Sequence, residues 1–265
     1  MTLITTTMKP LLTIIVAILL WSNLLFAQQD VTQIITLCDN YQINSQTRTD
    51  WGFSCLVIHG NDTILFDAGN RKDIFNHNLK ALGIDAKTIN SMVISHHHGD
   101  HTGNVFNVLA MNPRMKVYLP TSLEGEFANR VNNSGGKACI KSDCKRIAND
   151  IYLSGEMGFQ IKEQALVIDT KKGLVIIVGC GHPGIDRMVA KIKAYFQKAV
   201  FLVLGGFHTL EANHEEALRI IEIFQQMGVK KVAPSHCTGK LTRELFKETY
   251  QSNFIENGTG KIIEI

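Results

Sequence analysis

Residues 95–103 read Ser-His-His-His-Gly-Asp-His-Thr-Gly and follow a short apolar run that has the composition of a β-strand. His96 and His98 are two residues apart, so their imidazoles can point to the same side of an extended or tightly turned backbone and bind one metal ion. Asp100 and His101 follow at once and offer a carboxylate and another imidazole for a second ion. The stretch therefore predicts a metal site at the end of a strand.

Imidazole and carboxylate ligands suit zinc, and they also suit iron, manganese or nickel. We therefore expect one or two divalent ions, with zinc as the preferred metal. The alternative is that the adjacent histidines form a solvated loop or an adventitious metal-binding tract. The spacing His-x-His-x-Asp-His directly after a strand favours a built metal site over that alternative.

Composition narrows the class of protein. The chain has 265 residues, of which 45% are hydrophobic and 19% are charged, with a formal net charge of +3. This apolar content excludes a disordered chain, and the length predicts one domain. The near-neutral balance gives no basic surface for nucleic acid, so we expect a small-molecule partner.

The first 27 residues have the pattern of a secretory signal peptide. Lys9 precedes the apolar run LLTIIVAILL at 11–20, and the small residue Ala27 stands before a polar stretch. The alternative is a membrane anchor, but the apolar stretch is shorter than the about 20 residues that a span needs. We expect removal of residues 1–27 and an exported domain over 28–265, periplasmic or extracellular, without membrane attachment.

Export would permit disulfides. Cys139 and Cys144 lie close together in a polar stretch and suit a local bridge, whereas Cys38 and Cys55 could pair across two strands. The alternative for all four is a free thiol, buried like a small apolar side chain. The other two cysteines each stand beside a histidine and are candidates for a metal environment: Cys180 in GCGH and Cys237 in SHC.

Strand-like and helix-like stretches alternate along the chain. The apolar runs 174–178 and 200–204 imply strands that are buried on both faces, so helices should cover a sheet. The first three strands, within 31–69, should form an antiparallel meander. The segment 121–155 is expected to be irregular. Together these features predict one layered α/β domain.

These motifs resemble those of the metallo-β-lactamase-fold hydrolases, whose signature is His-x-His-x-Asp-His followed by a small residue and Gly. The preceding stretch LFDAG at 65–69 is similar to a strand end of that family. Three later stretches resemble one branch, the dihydropterin-ribofuranosyl-aminobenzene-phosphate synthase-like proteins: GCGHPG at 179–184, LGGFH at 204–208 and APSHCTG at 233–239. The resemblance implies an α/β fold, a four-layer αββα sandwich with two mixed sheets flanked by helices.

The resemblance also implies two groups of metal ligands: His96, His98 and His182 for one ion, and Asp100, His101 and His236 for the other. In most of the family a Gly-Asp pair supplies a carboxylate that bridges both ions, and here Gly179-Cys180 stands in its place. Three alternatives follow: a Cys180 thiolate as bridge or ligand, a single well-occupied ion, or another ligand such as His208. Asp67 and Cys237 are expected to lie behind the ligands and orient them.

The expected chemistry follows from this ligand set. An ion with an open coordination position lowers the pKa of bound water from about 15.7 toward roughly 7, which supplies a hydroxide nucleophile at neutral pH. Asp100 would orient the nucleophile or carry its proton. His208 would stabilise the developing negative charge or protonate the leaving group. The sequence therefore predicts a secreted metallohydrolase.

The substrate is expected to be a phosphodiester or a phosphorylated small molecule. The segment 121–155 would roof the pocket and receive a phosphate or carboxylate through its basic residues: Arg130, Lys137, Lys141, Lys145 and Arg146. The alternative for this segment is a solvated charged loop. A lactone or β-lactam hydrolase of the same fold is an alternative function, and a non-catalytic metal-binding or sensing protein is another.

Four histidines fall outside the expected site. His97 lies between two ligands and should point away from them, because side chains alternate along an extended chain. His97 also stands where a redox enzyme of this fold would place an acidic ligand, which disfavours that class. His59, His77 and His214 have no partner motif and are expected at the surface.

Overall fold

The computed structural model describes residues 31–265. The strands in this part of the chain are β1 (Thr32–Cys38), β2 (Ser54–His59), β3 (Asp62–Phe66), β4 (Ser91–Val93), β5 (Lys116–Leu119), β6 (Lys137–Ile140), β7 (Cys144–Ala148), β8 (Ile151–Ser154), β9 (Leu166–Thr170), β10 (Gly173–Val178), β11 (Val200–Gly206), β12 (Lys231–Ser235) and β13 (Ile262–Glu264). The α-helices are α1 (Lys72–Ala81), α2 (Gly99–Thr102), α3 (Val105–Met111), α4 (Glu126–Asn133), α5 (Ile185–Phe196), α6 (His214–Gln226) and α7 (Lys240–Tyr250). Strands and helices therefore alternate over most of the described chain.

The strands form two mixed sheets. The first has the order β13-β1-β2-β3-β4-β5-β6 and the second has the order β12-β11-β10-β9-β8-β7. Strands β1, β2 and β3 pair antiparallel, which confirms the predicted meander. Strands β3 to β6 run parallel in the first sheet, and β10, β11 and β12 run parallel in the second.

Apolar side chains on alternate residues give each sheet two buried faces. On β10, Val175 and Ile177 pack between the two sheets, whereas Leu174, Ile176 and Val178 face the helices outside. This alternation explains why the strand is apolar throughout. Helices α1, α3 and α4 cover the first sheet, and α5, α6 and α7 cover the second. The fold is the predicted four-layer αββα sandwich.

The helix layer over the second sheet includes a cluster of buried aromatic rings. The centroids of Phe207, Phe224 and Phe246 lie 5.5–5.6 Å apart. Full burial of one such side chain contributes about 1.5–3 kcal/mol to folding. Phe207 immediately follows β11, so the cluster fixes the position at which the chain leaves that strand.

The prediction that residues 121–155 are irregular is wrong. This segment contains α4 and the strands β6, β7 and β8. Strand β6 ends the first sheet and β7 ends the second. Edge strands carry exposed polar and charged side chains, which hide the apolar alternation in the sequence.

Neither cysteine pairing is formed, and all six thiols are free. Cys38 packs toward the helix layer whereas Cys55 packs between the sheets, so their side chains lie on opposite faces of one sheet. Cys139 lies on β6 and Cys144 on β7, the edge strands of different sheets.

One of the three histidines expected at the surface is buried. The exposed fraction of His59 is 4%, and its Nδ1 lies 2.8 Å from Thr32 Oγ1. His77 is half-buried, and its Nε2 lies 2.9 Å from the Gln46 carbonyl oxygen. His214 is exposed, as predicted, and so is His97.

The predicted signal peptide at 1–27 lies outside the described residues. Within residues 31–265, no helix combines the length and the apolar character that crossing a membrane requires. Residues 32–265 form one compact unit.

Candidate metal centre

The sheet topology gathers the predicted ligands at one edge of each sheet. In the first sheet, Asp67 follows β3, and the stretch from His96 to His101 follows the parallel neighbour β4. In the second sheet, the candidates follow three adjacent parallel strands: Cys180 and His182 after β10, His208 after β11, and His236 after β12. Because parallel strands end at the same edge, residues far apart in sequence converge there.

Three imidazoles form the first cluster. His96 Nε2 lies 3.1 Å from His98 Nδ1 and 3.2 Å from His182 Nε2. His96 is buried, and the other two are half-buried. Burial, followed by the nearby histidines, lowers the pKa of His96, and the same causes lower the pKa of His182 to about 3. Burial is also the largest cause that lowers the pKa of His98.

A chain of hydrogen bonds fixes the orientation of His96. The Ser95 hydroxyl donates to Asp67 Oδ2 at 2.7 Å, so its oxygen must accept from His96 Nδ1, which lies 2.8 Å away. The proton of His96 is therefore on Nδ1, and the lone pair on Nε2 faces His98 and His182. Hydrogen bonds of this kind set the tautomer and direction of a metal-binding imidazole.

The donor atoms of this cluster fit a divalent cation. Three ring nitrogens, His96 Nε2, His98 Nδ1 and His182 Nε2, converge at this point, as the ligand atoms of a common cation do. Zinc–nitrogen bonds of about 2.0–2.1 Å set two nitrogens of a tetrahedral site roughly 3.3 Å apart, which is close to the two separations at His96 Nε2. His96, His98 and His182 could therefore hold one ion.

Asp100, His101 and His236 form the second cluster. Asp100 Oδ2 lies 3.6 Å from His101 Nε2 and 3.4 Å from His236 Nε2. Burial acts to raise the pKa of Asp100, but the neighbouring His236 and His101 outweigh it and lower this pKa to about 2. Buried His236 Nε2 has no well-aligned hydrogen-bond partner, so a cation would satisfy it.

Outer groups orient the second cluster as well. Asp67 Oδ2 accepts a hydrogen bond from His101 Nδ1 at 2.7 Å, in addition to the bond from Ser95. Although burial opposes it, Asp67 raises the pKa of His101 above its usual value. Asn40 Oδ1 lies 3.2 Å from His236 Nδ1. Asp67 thus contacts His101 of the second cluster directly and His96 of the first cluster through Ser95. Asp67 itself is in none of the groups of potential metal ligands among the described residues.

Cys180 lies between the two clusters. Its Sγ is 3.3 Å from His101 Nε2. The same atom belongs to three groups of potential ligands whose donor atoms lie within 4.8 Å of one another: with His96 and His101, with His182 and His208, and with His236 and Cys237. A hydrogen bond with Cys237, followed by burial, raises the pKa of the Cys180 thiol, and a coordinated cation would instead favour the thiolate.

His208 and Cys237 lie on the side of the second sheet. The ring centroids of His208 and His182 are 4.2 Å apart, and His208 is exposed. A hydrogen bond with Cys237 is the largest cause that raises the pKa of His208. Cys237 Sγ is buried and lies 3.4 Å from the Cys180 carbonyl oxygen. His208 is therefore the member of the group most open to an incoming molecule.

Glu163 supports the loop of Cys180 and His182, and sequence reasoning missed it. This buried carboxylate accepts backbone N–H bonds of 2.9–3.0 Å from Cys180, Gly181 and His182. Burial still raises the pKa of Glu163 overall. Ser95 and Asn40 were missed as well, and only the position of Ser95 beside the histidine motif could have indicated it.

Three residues of the site have strained backbones. The φ angles of Asp67, His208 and His236 are 54°, 50° and 48°. Non-glycine residues rarely adopt this left-handed region, and doing so costs of order 1–3 kcal/mol each. Asp67 and His236 directly follow a strand and His208 follows β11 after one residue, so the strain turns a side chain toward the ligand clusters where the chain leaves each strand.

A cavity of about 700 Å³ adjoins the first cluster. His182, His208 and Pro183 line one part of it, and the loop 157–161 and helix α5 line the rest. Its cationic residues are Arg187 and Lys191 on α5. The prediction that basic residues of 121–155 roof the pocket is wrong, since none of them lines this cavity. Arg130, for example, stacks on Phe106, with its guanidinium 3.7 Å from the ring centroid.

The sequence of this chain is similar to those of known proteins. A profile described as the Metallo-beta-lactamase superfamily matches residues 49–111. The chain is 31% identical, over 285 aligned positions, to the 7,8-dihydropterin-6-methyl-4-(beta-D-ribofuranosyl)-aminobenzene-5'-phosphate synthase of Methanocaldococcus jannaschii. That alignment covers 89% of this chain and 97% of the relative.

Two solved structures are similar in fold. A metal-dependent hydrolase of the beta-lactamase superfamily superposes with a TM-score of 0.74 and 30% identity, covering 88% of this chain and 99% of that one. A diphosphatase from the PhnP family superposes with a TM-score of 0.59 and 11% identity, covering 89% and 97% of the two chains. The second similarity concerns the fold alone.

Proposed function

Since the chain belongs to the metallo-beta-lactamase superfamily, we propose that it is a metal-dependent hydrolase of phosphodiesters or phosphorylated small molecules. The superfamily and the His/Asp/Cys cluster support divalent ions as its cofactors. Zinc is the metal that the donor set favours, because neutral imidazoles, a carboxylate and a thiol together suit it best.

One observation carries the proposal: two ligand clusters lie side by side, and Cys180 Sγ lies within 4.8 Å of donor atoms from both. His96, His98 and His182 would hold one ion, and Asp100, His101 and His236 the other. Bound divalent ions supply an activated water and polarise the bond under attack. Cys180 is the group that could contact both ions, in the place where most of the family has a carboxylate.

The remaining groups have roles that the chain itself defines. Asp100 stays ionised at neutral pH because its pKa is lowered to about 2. It therefore suits holding an ion and orienting the nucleophile, and does not suit storing a proton. His208 is exposed beside His182 and has a raised pKa, so it can donate a proton to a leaving group. Asp67 and Glu163 hold the ligands in place through the hydrogen bonds described above.

The cavity supports a phosphorylated substrate. No acidic side chain is among the described residues that line it, whereas Arg187 and Lys191 are. The 31% identical relative is named for a product that is a 5'-phosphate. A β-lactam carboxylate has one negative charge and a simple lactone has none, so a phosphate of up to two negative charges is the better match to Arg187 and Lys191.

A substrate screen tests the function. Protein stripped of metal and then reloaded with zinc would be given bis(4-nitrophenyl) phosphate, a chromogenic lactone and a chromogenic β-lactam. We expect zinc-dependent release of nitrophenol from the phosphodiester, exceeding turnover of the other two compounds. Stripped protein without added zinc is the control.

Other outcomes of the screen would change the assignment. Preferential cleavage of the lactone or β-lactam would show that the proposed substrate class is wrong, while the assignment as a hydrolase would stand. Absence of any turnover by zinc-loaded protein would contradict hydrolysis. A synthase, as the Methanocaldococcus jannaschii relative is named, would turn over none of the three compounds.

A further inference from the structure

The cavity beside the ligand clusters has two cationic residues in its lining, Arg187 and Lys191. Arg187 and Lys191 are four residues apart on α5, so they share a face of the helix and lie about 6 Å apart along its axis. Both are exposed, and neither forms an ion pair with any residue that the structure describes. The acidic neighbour Asp186 is engaged elsewhere, with Arg219 at 2.9 Å.

An aromatic ring lines the same cavity as these cations. The loop 158–162 is closed by two backbone hydrogen bonds of 2.9 Å between Met157 and Glu163. Phe159 lies in this loop, lines the cavity and is 95% exposed. At this exposure the ring is free to meet a molecule that enters the cavity. The ring can pack on a planar or apolar part of a ligand.

The loop and the metal-binding residues share one support. The backbone of Glu163 closes the loop, and its side chain accepts hydrogen bonds from Cys180, Gly181 and His182. Helix α5 begins at Ile185, three residues after His182. Glu163 therefore links the backbone of the Phe159 loop to the backbone of His182, and helix α5 starts a short distance further along the chain.

We propose that Phe159, Arg187 and Lys191 form a recognition site for a second phosphate group, one that the enzyme does not cleave, on a substrate that also carries a ring. This assignment rests on the proposed function, since it places the scissile bond at the ligand clusters. Arginine donates two parallel hydrogen bonds to a phosphate and lysine adds a point charge, which together suit a phosphate monoester. A cavity of about 700 Å³ has room for a ring between the two ends.

A matched pair of substrates tests this site. Thymidine 5'-(4-nitrophenyl phosphate) and its 3'-phosphorylated form have the same scissile bond and differ by one monoester. We expect the wild-type protein to have the lower KM for the 3'-phosphorylated compound. The double variant Arg187→Gln/Lys191→Gln should raise the KM of that compound by roughly tenfold or more and leave its kcat within about twofold. The reason is that the charged hydrogen bonds to the second phosphate contribute to substrate binding and not to the chemical step. Phe159→Ala should raise the KM of both compounds.

The control is a double variant that removes two positive charges elsewhere. Lys141 and Lys145 are exposed and do not line the cavity. Lys141→Gln/Lys145→Gln should keep the wild-type preference for the 3'-phosphorylated compound. If the Arg187/Lys191 variant keeps that preference, or if the control pair loses it to the same extent, the recognition site is wrong while the hydrolase stands.

A binding measurement separates the two proposals. Thymidine 3',5'-bisphosphate has no nitrophenyl ester and can be titrated calorimetrically into zinc-loaded protein. If neither substrate is turned over, yet the bisphosphate binds the wild type at least about tenfold more tightly than the Arg187/Lys191 variant, the recognition site is supported and the hydrolase assignment fails. Equal binding by both proteins would overturn the recognition site.

Discussion

His96 and His97 are neighbours within residues 95–103, but their side chains differ in burial. His96 is fully buried with its lone pair turned toward two other imidazoles, whereas His97 is exposed. The alternation of an extended chain predicts this difference, and so the motif alone indicated which rings converge. The local motif could not indicate Glu163 or Asn40, because each meets its partner only after distant strands have been brought together.

Cys180 is the residue that decides how the two clusters are connected. We predict that Cys180→Ser lowers the number of zinc ions bound per chain from two toward one, because a serine oxygen is a poorer zinc ligand than a thiolate. Metal content of dialysed protein would be measured by mass spectrometry. Cobalt-substituted protein should also lose its sulfur-to-metal charge-transfer absorption.

The matched control is Cys139→Ser. Cys139 is a half-buried cysteine on the edge strand β6, away from every group of potential ligands that contains Cys180. Its replacement should change neither the metal content nor the cobalt spectrum. Should Cys180→Ser leave both properties unchanged, Cys180 does not contact metal, and His208 becomes the better candidate for the additional ligand.

At the scale of elements, the end of β10 must approach the ends of β3 and β4 closely. A Cβ atom on Gly179 would lie 2.8 Å from Ser95 Cβ and 2.9 Å from Asp67 Oδ2. We predict that Gly179→Ala destabilises the fold by about 1–3 kcal/mol, as overpacking does, and weakens zinc binding by separating Asp67 from Ser95. Urea unfolding and a competitive zinc titration would measure these two effects.

Gly99 provides the contrasting substitution. A Cβ atom there would meet nothing within 4 Å, and Gly99 is the first residue of α2. Gly99→Ala should therefore leave stability unchanged or raise it slightly, because alanine favours a helix over glycine. Equal destabilisation by both substitutions would mean that close packing at Gly179 is not what holds these strand ends together.

Some strands and helices were predictable from the sequence and others were not. The order of strands and helices was predictable where an element has a continuous apolar run, as in β10, or an apolar face at helical spacing, as in α6. The edge strands β6 and β7 were missed because their exposed faces break that pattern. The cations of the cavity were sought in 121–155, but only the packing of α5 on the second sheet brings Arg187 and Lys191 to the cavity wall.

At the scale of the whole molecule, the ligands come from both sheets. His96, His98 and His101 follow a strand of the first sheet, whereas His182 and His236 follow strands of the second. Bound ions would thus join the two halves of the sandwich as well as supply chemistry. Ions that bind only the folded state also stabilise it, by about 2.7 kcal/mol at a free concentration one hundred times Kd.

A metal-dependent hydrolase at this centre would depend on the converging imidazoles for its activity. Zinc-stripped wild type, His98→Ala and His97→Ala would be titrated with zinc while nitrophenol release from thymidine 5'-(4-nitrophenyl phosphate) is followed. The two histidines are neighbours, but only His98 faces the cluster.

We predict that activity returns with zinc in the wild type and in His97→Ala. His98→Ala should remain at least about 100-fold less active, exceeding the loss expected for a group that only orients a ligand. Zinc-loaded His98→Ala that hydrolyses the ester as fast as the wild type would contradict the account.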